Sequence, residues 1–135
     1  MDRKEFIRLL GIGTLGVVAL NQLGCSKADQ QPRIDFYIDT TDPLYFSLLN
    51  TGGYVYVNGL IIFKGIDLNY YALSQYCTHQ GCDVTYQVAF NELICPCHGS
   101  QYDINGQVTM GPAIAPLYQY VTEVVSGTLI HVFTP

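Results

Sequence analysis

CTHQGC at residues 77–82 and CPCHGS at residues 95–100 hold four of the chain's five cysteines and two of its three histidines. Thiolate sulfur and neutral imidazole nitrogen are the donors that transition metals take from proteins. A fold that uses these residues together must bring both boxes to one point. Only twelve residues, Asp83 to Ile94, lie between the boxes. That length suits a hairpin turning near Phe90-Asn91, and a hairpin brings its two ends together. Both boxes are therefore expected at one tip of a sheet, fed from the other side by a strand over Tyr70 to Tyr76.

The rest of the chain reads as strands. Ile34, Phe36 and Ile38 alternate with Asp35, Tyr37 and Asp39, the period of a half-buried strand. Tyr54–Val57 and Leu60–Phe63 flank Asn58-Gly59, the dipeptide that best fits a two-residue hairpin. Asn105-Gly106 and Ser126-Gly127 mark further turns, the second inside a terminal hairpin formed by Leu117–Val124 and Thr128–Phe133. Residues 33–135 are expected to form one all-β domain around a single core, with no helix-period segment. The eleven tyrosines suit sheet packing. His131 alternates with Leu129 and Phe133 and reads as a structural histidine, while Asp35, Asp39 and Asp42 read as a solvated face.

Residues 1–25 have the layout of an export signal. Arg3, Lys4 and Arg8 precede an apolar run from Leu9 to Leu20 that reaches only about 18 Å as a helix, against a hydrocarbon core of about 30 Å. The uncharged stretch continues to Ser26, so an uncleaved membrane anchor is the other reading. Arg3-Lys4-Glu5-Phe6-Ile7-Arg8 resembles a twin-arginine export signal with lysine in place of the second arginine. Leu23-Gly24-Cys25 resembles the end of a bacterial lipoprotein signal, which implies lipidation of Cys25. Residues 26–32, SKADQQP, read as a flexible linker. The domain is thus expected on the periplasmic or extracytoplasmic face, tethered to the membrane surface by a lipid or an N-terminal anchor. The formal net charge of −5 becomes −6 without residues 1–24, which hold three basic and two acidic groups. Such an acidic surface repels phosphates and argues against a nucleic-acid partner.

Each box offers one Cys and one His as a C-x-H and a C-x2-H pair, Cys77 with His79 and Cys95 with His98, and each keeps a further thiol, Cys82 and Cys97. Four such donors could hold a tetrahedral zinc, although zinc modules usually space like ligands together. Neighbouring side chains in an extended segment point to opposite sides, so a metal-facing His98 turns Cys97 away. In an exported protein two spare thiols held close together oxidise. The consistent assignment is Cys77, His79, Cys95 and His98 as ligands with a Cys82–Cys97 disulfide.

C-x-H, fifteen residues and C-x2-H is also the spacing of Rieske iron–sulfur proteins. Cys77 to Cys82 and Cys95 to Asp103 closely resemble the boxes of the Rieske subunit of quinol-oxidising cytochrome bc-type complexes. The likeness runs from about Tyr70 to Leu117. Gly111-Pro112-Ala113-Ile114-Ala115-Pro116 resembles that family's proline loop, with two residues more than its usual Gly-Pro-Ala-Pro. The resemblance implies an antiparallel Rieske-like β-sandwich or barrel with a cluster-binding subdomain of two loops at one tip. It implies one 2Fe–2S cluster per subunit, with Cys77 and Cys95 on the inner iron and His79 and His98 on the outer, exposed one. Ser100 and Tyr102 match the family's hydrogen-bond donors to a bridging sulfide and to a cysteine sulfur.

Rieske centres as a class have potentials of about −150 to +300 mV. Two thiolates bring an oxidised core of charge 2+ to neutrality, where four would leave a dianion, and an electron enters a neutral site at lower cost. The expected function is one-electron transfer, accepting an electron and a proton from a quinol and passing the electron to an exported cytochrome or copper carrier. The partner would be a quinol-oxidising cytochrome b-type complex, and the chain alone would be a carrier rather than an enzyme. Other readings are the Rieske subunit of a periplasmic molybdenum oxidase and the ferredoxin of a ring-hydroxylating oxygenase, a group that generally lacks the disulfide pair. A zinc-stabilised binding module is the reading from a different class.

Overall fold

The computed structural model describes residues 31–135. The segment 1–25 read as an export signal or anchor, with its expected lipidation site Cys25, and all but the last two residues of linker 26–32 lie outside the described residues. The compact unit spans Arg33–Pro135. Its strands are β1 (Asp35–Asp39), β2 (Tyr54–Val57), β3 (Leu60–Lys64), β4 (Tyr70–Ser74), β5 (Thr85–Gln87), β6 (Glu92–Ile94), β7 (Gln101–Tyr102), β8 (Val108–Met110), β9 (Gln119–Val124) and β10 (Leu129–Phe133). They form two sheets, β1-β10-β9-β4-β3-β2 and β5-β6-β7-β8, in which every described pairing is antiparallel. The chain has the all-β antiparallel architecture expected from its alternating pattern and turns.

Asn58 and Gly59 both take positive φ, 52° and 81°, which is what a two-residue turn matching the strand twist requires. This fixes the β2–β3 register, with Val57 opposite Leu60 and Tyr54 opposite Phe63. The β5–β6 hairpin pairs Thr85 with Ile94 and Gln87 with Glu92, turning through 88–91. The strand read over Tyr70–Tyr76 ends at Ser74, and Tyr76 meets Asp83 in an isolated bridge at the mouth of the hairpin.

The apolar interior is divided rather than single. β3 is buried on both faces, and alternation along it sends Ile61 and Phe63 to one side and Leu60 and Ile62 to the other. The second side packs with Ile38, Leu48, Ala72, Tyr120, Ile130 and Val132, so that strands from across the large sheet share one core. The first side packs with Leu73, Val84, Tyr86, Leu93 and Tyr102, and the same cluster contains Cys77 and Cys95. A continuous apolar run such as Leu60–Phe63 serves two cores because it separates them. Phe63 stacks on Tyr86 at 4.3 Å and Tyr71 at 5.3 Å between ring centroids. Such pairs contribute about 0.5–1.5 kcal/mol each beyond their burial. The Tyr56 hydroxyl donates to the Val84 carbonyl at 2.7 Å, tying β2 to the start of the small sheet.

A 3-10 segment, Pro43–Leu49, was not expected from the sequence. It follows Asp42, whose carboxylate accepts the Leu44 amide at 3.0 Å, with Pro43 at the first turn. Asp39 accepts from the Thr41 amide and hydroxyl, and Asp35 meets His131 Nε2 at 2.7 Å. His131 itself lies between Tyr37 and Phe133, stacked on both. It joins edge strand β1 to β10, a structural task.

Candidate metal centre

Each Cys/His box folds into the same tight loop. The Gly81 amide donates to the Cys77 carbonyl at 2.8 Å, and the Cys77 amide to the Cys82 carbonyl at 2.7 Å. In the second box the Gly99 amide donates to the Cys95 carbonyl at 3.0 Å, and the Cys95 amide to the Ser100 carbonyl at 2.8 Å. The fifth residue of each loop, Gly81 or Gly99, has φ near +80°, 80° and 78°. A Cβ added at either glycine would meet nothing within 4 Å, so backbone conformation and not space selects glycine there.

The loops lie side by side and are stapled by a disulfide between Cys82 and Cys97. Cys77 and Cys95 are free thiols, 3 % and 1 % exposed, seated in the apolar cluster under the loops. His79 and His98 are exposed, and their rings approach edge to face with centroids 4.9 Å apart. The four residues proposed as ligands thus make a floor of two buried sulfurs and a rim of two imidazoles. The sulfurs of Cys82, Cys95 and Cys97 also lie within 4.8 Å of one another. Two of these are bonded to each other and cannot act as thiolates, so this trio records the disulfide packing on Cys95 rather than a metal site.

Tyr102 is fully buried on β7 with its hydroxyl 3.3 Å from Cys77 Sγ. The same oxygen receives the Thr78 amide at 3.2 Å and lies 3.1 Å from Thr78 Oγ1. Burial pushes the Cys77 thiol up, but the Tyr102 hydroxyl and the backbone amides of His79 and Gln80 outweigh it and hold the thiol below its ordinary range. Cys95 is pushed up, by burial first and then by the neighbouring Cys77. The surroundings of Cys77 therefore favour negative charge on sulfur. Ser100, also fully buried, accepts the Ala113 amide at 3.0 Å, which leaves its hydroxyl proton available to a partner in the site.

The segment 111–116 closes over the loops, and its fastening was not anticipated from the sequence. Ala113 is tied to the second box through Ser100, and the Ala115 carbonyl accepts the Thr78 hydroxyl of the first box at 2.7 Å. Thr78 is the site residue that sequence reading missed. Its position beside His79 was a weak signal, and its partner is a backbone carbonyl that no side-chain pattern reveals.

Two free buried thiols, two exposed imidazoles and a hydroxyl donor beside one sulfur define a soft, asymmetric centre of the kind that holds an iron–sulfur group. Residues 43–121 match the Rieske [2Fe-2S] domain. The chain is 33 % identical over 132 aligned residues to the cytochrome b6-f complex iron-sulfur subunit of Prochlorococcus marinus (strain MIT 9312), covering 84 % of this chain and 74 % of that protein. The chain therefore belongs to the Rieske family, and its cofactor is a 2Fe–2S cluster. Among solved structures it resembles the cyanobacterial plasma membrane Rieske protein PetC3 from Synechocystis PCC 6803, with 34 % identity and a TM-score of 0.50, over 58 % of this chain and 82 % of that one. It also resembles the ferredoxin of carbazole 1,9a-dioxygenase from Nocardioides aromaticivorans IC177, with 26 % identity and a TM-score of 0.53, over 64 % and 88 %. Among the described residues no helix is long and apolar enough to cross a membrane.

Proposed function

We propose that this protein is the iron–sulfur subunit of a quinol-oxidising cytochrome b-type complex, taking one electron from a quinol and passing it to an exported cytochrome or copper carrier. The observation that carries the reading is the asymmetry of the tip, with buried Cys77 and Cys95 beneath exposed His79 and His98. When bound, the cluster supplies the one-electron couple. Cys77 and Cys95 would hold it against the apolar floor, which keeps water from the inner side. His79 and His98, both exposed, would hold the outer side, each leaving one ring nitrogen toward solvent where a proton could be exchanged with a donor. The Tyr102 hydroxyl beside Cys77 and the Ser100 hydroxyl favour added negative charge on sulfur. The relatives named as cytochrome b6-f iron-sulfur subunits support this partner class over the ferredoxin. The Cys82–Cys97 disulfide supports an oxidising compartment, consistent with an export role for residues 1–25 and a tether at Cys25.

The test uses membranes of the source organism depleted of this chain, a short-chain quinol, and the full-length holoprotein. The expected result is restored quinol-dependent reduction of a c-type cytochrome or copper carrier. Reduction of the holoprotein by a soluble NADH-dependent reductase, with no response to quinol, would favour the ferredoxin reading instead.

A further inference from the structure

The end of the domain away from the two boxes has an apolar surface of its own. β4 leaves the turn 65–69 and runs toward the first box, and the β5–β6 hairpin opens at the boxes and turns at 88–91. Both turns therefore lie at the opposite end. Leu49, Ile66, Leu68 and Phe90 are each at least half exposed there, Leu68 at 64 % and Phe90 at 73 %. The segments that carry them are fastened together. The Tyr71 hydroxyl donates to Asp67 at 2.6 Å and the Tyr86 hydroxyl to Asn91 Oδ1 at 2.8 Å, and both rings stack on Phe63. Lys64 Nζ donates to the Leu49 carbonyl at 3.3 Å, and the Gly52 amide to the Lys64 carbonyl at 2.8 Å. A Cβ on Gly52 would fall 2.7 Å from Val88 Cβ, at the hairpin turn.

Leu68 has a φ of 68°, a left-handed conformation that glycine or asparagine adopts at lower cost. Its side chain points into water, so the chain itself gains nothing from leucine there. A fixed apolar patch of this kind marks a contact surface. Residues 43–53, 65–69 and 87–91 contain one charged side chain, Asp67, and Tyr71 and Asn69 both donate to it. A chain of formal net charge −5 thus offers an uncharged face at this end. Its apolar groups stand on turns rather than on the face of a sheet. Side chains so placed can enter the acyl boundary of a bilayer while the turn backbone stays among hydrated headgroups. The length of the chain permits that approach. Seven residues, 26–32, separate Cys25 from Arg33 and reach at most about 25 Å. β1 covers about 17 Å before the chain enters Pro43–Leu49 at the patch.

We propose that Leu49, Ile66, Leu68 and Phe90 form a lipid-contact surface that seats the end of the domain opposite the boxes on the uncharged part of a bilayer surface. His79 and His98 then face the aqueous side, where an exported acceptor is met. The inference rests on the membrane tether proposed above and goes further, since it names the surface that the domain lays against lipid.

The chain contains no tryptophan, so Phe90→Trp supplies a single fluorescent reporter. Full-length holoprotein produced in the source organism is bound to phosphatidylcholine vesicles, with and without bromine on the acyl chains. The expected result is quenching of the reporter by brominated lipid of at least about twofold, with little quenching by aqueous iodide and no dependence on salt. Adding Leu68→Asp returns the reporter to water while iron content and midpoint potential stay unchanged. Aspartate enters the left-handed region more readily than leucine, so this variant keeps its fold. Tyr76→Trp, beside the first box, stays open to iodide and reports the orientation. Protein that floats with the vesicles while the Phe90→Trp reporter stays open to iodide overturns the proposal, as does equal lipid quenching of the two reporters. Wild-type dimers in sedimentation that Leu68→Asp dissociates overturn it in favour of a second copy. Wild type that does not float with vesicles refutes the tether as well, and flotation therefore separates the failure of that reading from the failure of this one.

Discussion

Replacing Tyr102 by phenylalanine removes one oxygen from a fully buried position that touches three groups. The Thr78 hydroxyl spends its proton on the Ala115 carbonyl, so toward Tyr102 it can only accept. The Tyr102 proton is then directed to Cys77 Sγ or shared with Thr78 Oγ1. Reduction adds negative charge around the sulfur, and a donated hydrogen bond strengthens with that charge. A difference of about 1 kcal/mol between the two redox states is reasonable for one such bond. For one electron this corresponds to about 40 mV, since 59 mV is a tenfold change. Tyr102→Phe is therefore expected to lower the midpoint potential by about 40 mV in a redox titration followed by EPR. The variant also leaves the Thr78 amide without its acceptor, at a cost of about 1–3 kcal/mol. In a domain of about 100 residues this lowers the melting temperature by at least about 4 °C. A potential unchanged or raised, in protein with full iron content, would refute the assigned role of the hydroxyl whatever happens to stability.

Ser100→Ala is expected to lower the potential in the same titration, by the same reasoning, while the Ala113 amide loses its acceptor and the clamped loop loosens. Replacing Cys82 and Cys97 together by serine removes a cross-link spanning 15 residues. Denaturant unfolding should show a loss of about 3 kcal/mol, and iron should be released faster. Burial first, then Tyr54 and Asp83, pushes the Tyr56 phenol up to about 12. A phenol raised above its unfolded value near 10 contributes stability that is whole below pH 10 and lost as pH rises through about 12. An ultraviolet titration should lose a phenolate step at about 12 in Tyr56→Phe, and alkaline unfolding of the variant should depend less on pH in that window.

The parts of the fold that were legible in the sequence are those where local chemistry decides. Asn58-Gly59 dictates its own turn, and the alternation at Ile34–Ile38 and the terminal hairpin needed no distant partner. The placement of both boxes at one tip followed from the length of the segment between them. What stayed hidden depends on contacts far apart in the chain. Leu60–Phe63 could not reveal from its own residues that its two faces serve separate cores. PLYFSLL has neither helical nor strand period, and its 3-10 turn is specified by the Asp42 cap and Pro43. Within the site, residue types announced the donors, because few other functions need Cys and His at that spacing. The Thr78 link to Ala115 spans 37 residues and ends on a carbonyl, so nothing in the sequence marks it.

The most direct test of the proposed ligand set is pulsed EPR of the reduced full-length protein, prepared with natural-abundance and with nitrogen-15-labelled histidine. The expected result is a signal coupled to two imidazole nitrogens, lost when His79 and His98 are both replaced by cysteine, from protein with two irons and two sulfides per chain. A signal without histidine coupling, or protein that stays free of iron after anaerobic reconstitution, would contradict it.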